Sequence, residues 1–415
     1  MDHTSHQRGA DREPVMITGV GAVSPLGHSF REIADGLLAG RSGVRSIDPG
    51  PFAREPVQFA GAVSDIPPPA AVACPLDAAA FAVLPRLDQL CVSPIATALV
   101  DAGLAGSRSA LRIGLVLGLG AEHLKAWEAN FLGGGGQVFT PACGPTLVQR
   151  LASLFGLAGP AVTTAAACAS SGYAMALGRT WLTAGWVDAC IVGGCDTFSP
   201  TSLAAFYNLR ALSRRSDDPV KASRPFDRDR DGFVMGEGGA FFTLERKSDA
   251  DRRGARTYGE LAGVGMSSDA SHMVAPCTDP VQAARTITMA LSDAGVAPDE
   301  LDYVNAHAAG TPVGDAAEAG AIRMALGAAA DRVPVSSTKS MSGHLVSGAA
   351  AFEAVACLAA IDRQAIPPTV NLDHPDEACP LDHVPHEARP APVRVAASNS
   401  FGFGGSNLCL VLRAA

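Results

Sequence analysis

Ala158-Gly-Pro-Ala-Val-Thr-Thr-Ala-Ala-Ala-Cys168-Ala-Ser-Ser-Gly-Tyr173 is the stretch on which the reading of the fold turns. A short β-prone piece runs into small residues, then a cysteine, then a helix-prone run over residues 170–184. Small neighbours let the chain turn sharply and leave the sulfur at a helix start. There the helix dipole and free amides lower a thiol pKa and can hold an oxyanion. A free cysteine is more often a small buried hydrophobe. This segment alone leaves both readings of Cys168 open.

The same strand-then-helix sense recurs on either side. Short apolar runs ending in Gly, Ser or Asn mark strands at 15–20, 112–118, 189–194, 241–245, 301–305, 332–336, 393–398 and 407–412. Ala-rich stretches mark helices at 29–39, 94–102, 170–184, 280–294, 315–326 and 348–363. Such alternation argues for buried sheets covered by helices, an α/β protein. Segments 66–70, 133–136 and 375–392 read as loops, and none resembles a flexible interdomain linker. A charged, turn-rich stretch at 244–256 divides the chain into two unequal α/β halves, 14–255 and 256–415.

Composition narrows the function. The 415 residues are 47% hydrophobic and 18% charged, which excludes a disordered tail or a coiled coil. A net charge of −9 gives no broad basic footprint for nucleic acid. No apolar run reaches membrane-spanning length, and residues 1–14 lack the features of a secretory or transit segment. Ten scattered cysteines form no disulfide framework, and the lone C-x4-C of Cys190 and Cys195 has no partner pair for zinc. A cytoplasmic enzyme with reduced thiols is expected.

Two histidines tilt the balance at Cys168. His307 follows the strand at 301–305 and opens His-Ala-Ala-Gly-Thr-Pro. His344 ends Lys339-Ser-Met-Ser-Gly-His344 after the strand at 332–336, just before a small-residue helix. Groups at strand carboxyl ends converge on the ligand crevice of open α/β sheets. His3, His6, His28 and His374 lack such a setting and read as surface residues. A fourth element is Asn399-Ser-Phe401-Gly-Phe403-Gly-Gly-Ser-Asn407, whose glycines permit positive φ and whose rings can close a cavity. It lies between two strands and opens no helix, so it meets neither the dinucleotide nor the P-loop pattern.

Together these segments resemble the β-ketoacyl-acyl-carrier-protein synthases, the elongating condensing enzymes of fatty-acid and polyketide synthesis. The resemblance spans nearly the whole chain. It includes Val20-Gly-Ala-Val-Ser-Pro-Leu-Gly27, Ala222-Ser-Arg-Pro-Phe-Asp227 and Arg230-Asp-Gly-Phe-Val-Met-Gly-Glu-Gly238. It implies a thiolase fold, two related βαβαβαββ halves stacked as five α-β-α-β-α layers and normally dimeric. It also implies Cys168 as acyl-accepting nucleophile and His307 and His344 as the two imidazoles that stabilise the enolate of decarboxylated malonyl-carrier. By the same resemblance the amides of Cys168 and Phe403 hold the oxyanion, and Lys339 and Glu353 form a buried charged pair beside the histidines. Phe401 and Phe403 match a gating loop, and Phe206 falls near the pocket or the dimer contact. No metal or redox cofactor is implied, because the substrates ride on the phosphopantetheine of an acyl carrier protein. Arg210, Arg214, Arg215 and Lys221 are candidates for a basic patch that receives such an acidic carrier.

Departures from the family pattern point to a specialised enzyme. Ala309 stands where a hydroxyl usually helps hold the pantetheine arm, Thr311 keeps the second hydroxyl, and Val274 stands where threonine is common. After His344 the usual Leu-x-Gly-Ala-Ala-Gly reads Leu-Val-Ser347-Gly-Ala-Ala350. These changes favour a polyketide or polyene synthase subunit, with a housekeeping fatty-acid enzyme as the alternative. A thiolase-like acyltransferase would want a second cysteine near residue 403. A non-catalytic chain-length partner would lack Cys168, although pairing with such a homologue as a heterodimer stays open beside a homodimer.

Overall fold

The glycines of the first strand explain how the layers close. The structure is a computed structural model that describes residues 13–48, 56–120, 122–136 and 145–415. Strand β1 (Val15–Val23) is buried along its whole length. A Cβ added at Gly19 would sit 2.2 Å from the carbonyl oxygen of Ala98, and one at Gly21 would sit 1.9 Å from that of Pro94. Only glycine lets helix α1 (Arg86–Asp101) lie this close to the sheet.

β1 belongs to a five-stranded set with β2 (Ile113–Gly118), β3 (Ala161–Thr164), β4 (Ala189–Asp196) and β5 (Gly238–Arg246), in spatial order β3-β2-β4-β5-β1. The second half repeats it. Strands β6 (Gly259–Ser268), β7 (Tyr303–Asn305), β8 (Pro334–Ser336), β9 (Val395–Gly402) and β10 (Ser406–Arg413) run β8-β7-β9-β10-β6. In both sets the third, second and fourth strands are mutually parallel, and the fifth pairs antiparallel on each side. The sets join edge to edge where Met16 and Ile17 pair with Glu260 and Gly259.

The helices complete five layers. α1 covers the outer face of the first sheet on β1 and β5, and α3 (Val281–Ala294) covers the second on β6 and β10. Between the sheets lie α2 (Ser170–Thr183) and α5 (Ala349–Arg363), packed on each other and on strands of both sets. Every residue of α5 from Ala349 to Ile361 is buried, as a helix apolar on every face except at Glu353 must be. The layer order is α-β-α-β-α. This is the thiolase fold with two pseudo-symmetric halves.

Some elements depart from the sequence reading. β6 carries three glycines and was not expected as a strand. A Cβ at Gly263 would meet the Ala290 carbonyl at 2.2 Å and one at Gly265 the Thr286 carbonyl at 2.0 Å, so α3 lies against β6 as α1 lies against β1. α1 begins at Arg86 rather than at Pro94, and Pro94 sits inside it, because packing on β1 carries the helix through a residue without an N–H. The helix Leu147–Phe155 was also unread, although Thr146 and Gln149 form a capping box at its start. The short helix Pro200–Asn208 starts from a Ser199 cap. Among the described residues no helix is long and apolar enough to cross a membrane.

Candidate active site

The site is built on strand ends. β3 runs out at Thr164, and Ala167 then takes φ +48°, a left-handed conformation that costs a residue with a side chain about 1–3 kcal/mol. Ser170 holds that turn. Its Oγ accepts from the Ala166 N–H at 2.9 Å and donates to the Ala167 carbonyl at 2.6 Å. Cys168 therefore sits in a single 3-10 turn at the mouth of α2, buried, with the Phe403 backbone amide near enough to favour its thiolate.

His307 leaves β7 two residues beyond Asn305, and its loop is fixed by a group the sequence reading did not find. Glu318, on α4 (Pro312–Leu326), accepts from the N–H of His307 at 2.8 Å and of Ala308 at 2.6 Å. The Asn399 amide donates to it at 3.1 Å. Asp315, one helical turn earlier, accepts from the N–H groups of Gly310 and Thr311 and from that of Phe226. In the sequence the two acids show only as carboxylates three apart on one helix face, with nothing to say which amides they cap. His344 is held through its backbone, which donates to Val234 at 2.7 Å and accepts from Gly236 at 2.8 Å.

The three side chains meet. His344 Nε2 lies 3.0 Å from Cys168 Sγ. The two imidazole rings face edge to face with centroids 5.3 Å apart. One donor atom from each of Cys168, His307 and His344 falls within 4.8 Å of the others. By donor type the trio also suits a soft divalent cation. Behind it Lys339 and Glu353 form a buried ion pair, with Ser400 donating to Glu353 at 3.5 Å.

Electrostatics leave this centre uncharged at rest apart from the pair behind it. Burial pushes the Cys168 thiol up to about 11, against the opposing pull of Lys339 and the Phe403 amide. Loss of solvent holds both imidazoles well below their ordinary value, and the Lys339 ammonium lowers them further. Nδ1 of each ring is buried without a hydrogen-bond partner among the described residues, so Nε2 is the working face of His344. Burial also raises Glu318 and Glu353 to about 7.

The trio lines a largely apolar cavity of about 530 Å³. Phe206, Val274, Ala309, Thr311, Phe401 and Phe403 all line it. Phe206 packs edge-on against Phe403 at 5.9 Å and Phe233 at 5.2 Å, and Phe233 in turn against His344 at 5.4 Å. Phe403 follows β9 in the tight Phe403–Gly405 turn to β10. Of the basic candidates, Arg210 lines the cavity, Arg214 stacks over Tyr207, and Arg215 and Lys221 pair with Asp231 and Asp218. His374 is exposed and His28 half-buried, while His3 and His6 lie outside the described residues. Cys190 and Cys195 pack into different core clusters on the two faces of β4, so they share no ligand. A second, more open depression of about 720 Å³ over Arg45, Arg86 and Glu237 holds none of the expected residues.

Residues 12–250 match the family model "Beta-ketoacyl synthase, N-terminal domain", and residues 258–373 match "Beta-ketoacyl synthase, C-terminal domain". The chain belongs to the β-ketoacyl synthase family. A 3-oxoacyl-[acyl-carrier-protein] synthase 2 from Synechocystis is 39% identical, over 97% of this chain and 98% of that protein. Among solved structures, the ishigamide ketosynthase/chain length factor superposes with TM-score 0.85 at 32% identity, covering 97% of this chain and 100% of the other. A type II polyketide acyl-carrier protein in complex with its ketosynthase, bound to the hexaketide, also gives TM-score 0.85, at 29% identity over 98% and 100% of the two chains. This β-ketoacyl synthase is a condensing enzyme of fatty-acid or polyketide elongation. It resembles both kinds of relative along nearly its full length.

Proposed function

We propose that Cys168, His307 and His344 carry out a decarboxylative Claisen condensation in two half-reactions. The observation that carries this reading is the meeting of one thiol and two neutral imidazoles in the wall of one largely apolar cavity. In the first half-reaction Sγ attacks an acyl thioester while His344 takes its proton across 3.0 Å. The carbonyl–sulfur bond of the incoming thioester breaks, and the pantetheine thiol leaves with that proton. In the second, malonyl-carrier loses carbon dioxide, and negative charge builds on its thioester oxygen. The two imidazoles donate to that oxygen through Nε2–H, His344 having moved its ring proton from Nδ1 to Nε2 after the acyl transfer. The resulting carbanion attacks the acyl-cysteine, the amides of Cys168 and Phe403 receive the oxyanion, and as it collapses the carbon–Sγ bond breaks and the Cys168 thiolate takes up a proton from solvent.

Lys339 and Glu353 are positioning residues in this scheme, setting the local potential rather than touching substrate. Phe401 and Phe403 gate the cavity, and Thr311, Ala309, Val274 and Phe206 line the path of the pantetheine arm. The substrates supply that phosphopantetheine, and the chemistry asks for no metal or redox group. The nucleophile then belongs to the half spanning 14–255 and both histidines to the half spanning 256–415. An acyl carrier protein docks at the cavity mouth near Arg210, in the cytoplasm, and the chain works as a homodimer or beside a chain-length-factor-like homologue. Ala309 and Val274 make the arm path apolar, which supports a specialised polyketide or polyene role over housekeeping elongation.

The test is Cys168→Ala. Intact-protein mass spectrometry should show an acyl adduct on the native chain incubated with acyl-carrier and none on the variant. The variant should keep its far-ultraviolet dichroism and lose condensation of labelled malonyl-carrier. Condensation that survives the substitution sinks the assignment.

A further inference from the structure

The chain makes the turn of Cys168 a second time, in the other half. Ala166–Ala169 and Leu345–Gly348 follow the same course. Ala167 has φ +48° and Val346 φ +46°, and each is followed by one 3-10 turn that runs directly into a central helix, α2 or α5. At the position of Cys168 the second turn carries Ser347. A β-branched residue such as Val346 rarely holds a positive φ unless its surroundings fix it. Here they do so through Ser347. Its Oγ accepts from the Gly120 N–H at 2.9 Å, and its own N–H donates to Asp196 Oδ2 at 3.3 Å.

Gly120 lies between the two turns. A Cβ placed there would stand 3.2 Å from Ser347 Oγ and 3.8 Å from both Ala167 Cα and Ser170 Oγ. Neither Gly120 nor Ser347 lines the cavity that reaches Cys168, and of the two Gly120 is exposed to solvent while Ser347 is buried beneath it. Their hydrogen bond therefore closes the other side of the nucleophile's turn. It also ties the segment after β2, in the first half, to the loop that carries His344, three residues before Ser347.

We propose that Ser347 is a positioning residue whose hydroxyl latches the turn after β2 against both elbows and keeps water from the far side of the acylated Cys168. This rests on the reading of Cys168 as the acyl acceptor. Without the latch, the exposed Gly120 is released from Ser347 and its amide takes water as partner at the edge of the nucleophile's turn. Water beside the thioester opens a wasteful branch. Its oxygen bonds to the acyl carbon, the carbon–Sγ bond breaks, the sulfur regains a proton, and a free carboxylic acid departs. The same water relieves the desolvation that raises the thiol.

The experiment loads Cys168 from octanoyl-N-acetylcysteamine and follows loss of the adduct by mass spectrometry in native protein, Ser347→Ala, Ser347→Gly and Ser347→Thr. A second readout is the pH dependence of iodoacetamide alkylation at Cys168. Loss of the hydroxyl is expected to speed hydrolysis about five- to tenfold, the scale of one hydrogen bond, and to move alkylation to lower pH. Threonine, which keeps the hydroxyl, should restore both. Equal hydrolysis and superposed alkylation profiles in native protein and the Ala and Gly variants would overturn the proposal. If the native protein takes no octanoyl group, the condensing assignment has failed instead, and the alkylation profiles alone decide the latch. The glycine variant guards against an alanine variant that does not fold, since glycine accepts any backbone conformation.

Discussion

Cys168 rests as a thiol, and this sets how it can be reactive. With burial holding it near 11, the thiolate is scarce at neutral pH, and a general base must remove the proton in the act of attack. His344 at 3.0 Å, uncharged and buried, is placed to be that base. A group whose pKa is raised loses its proton only at higher pH. Alkylation of Cys168 by iodoacetamide should therefore keep climbing past the ordinary thiol value of 9.0 toward about 11. Peptide mass spectrometry distinguishes it from the half-buried Cys277. A plateau below pH 9 would mean that the thiol is already ionised and needs no base. Cys168, His307 and His344 were legible as residues because each stands where a strand-like run gives way to small residues. Glu318 was not. It works through the backbone amides of His307 and Ala308, and no sequence pattern announces which amide a carboxylate will cap.

Two elements set the potential at this site, and each yields a test. α5 carries Glu353 into the core opposite Lys339, each only 2% exposed. Removing Glu353 alone strands an ammonium in the interior, at a cost of about 3–5 kcal/mol, whereas removing both charges can be nearly neutral. A Lys339→Met/Glu353→Leu double variant should thus melt near the native temperature by calorimetry while Glu353→Gln melts far lower. In the double variant the imidazoles lose the cation that depresses them. The acid limb of malonyl-carrier decarboxylation should then move to higher pH. An unmoved limb would deny Lys339 its electrostatic role. On α4, Glu318 is raised by burial from 4.5 to about 7. Its contribution to stability is whole below pH 4.5 and is lost as pH rises through about 7. Glu318→Gln should flatten that part of a stability–pH curve, and an unchanged slope would count against a buried, perturbed carboxyl. At this scale the sequence was read unevenly. Apolar strands such as β4 stood out, whereas β6 was hidden by glycines whose purpose is to admit the backbone of α3, a tertiary requirement that propensity does not carry.

For the molecule as a whole, the repeated strand order makes a physical claim about cooperativity. The halves are not beads on a string. β1 pairs with β6, and α2 and α5 share one layer, packed on each other and on strands of both sets. The division near residue 255 is thus a boundary in sequence with little independence in energy, which composition and length alone did not reveal. The glycines offer matched probes, because Gly21 under α1 and Gly265 under α3 occupy equivalent places, each with no room for a Cβ. Alanine at either should cost at least the ~1–3 kcal/mol typical of overpacking, and similar amounts in the two halves. All three tryptophans, Trp127, Trp181 and Trp186, lie in the first half. Tryptophan fluorescence therefore reports that half alone, while far-ultraviolet dichroism reports both. If the shared central layer couples the halves, Gly265→Ala should lower the urea midpoint seen by fluorescence as far as the one seen by dichroism, although the substitution is in the half without a tryptophan. A fluorescence midpoint that stays at the native value while the dichroism curve splits in two would show that the halves unfold separately. The site would then depend on a docking contact between Cys168 in one half and the histidines in the other, and no longer on a single core.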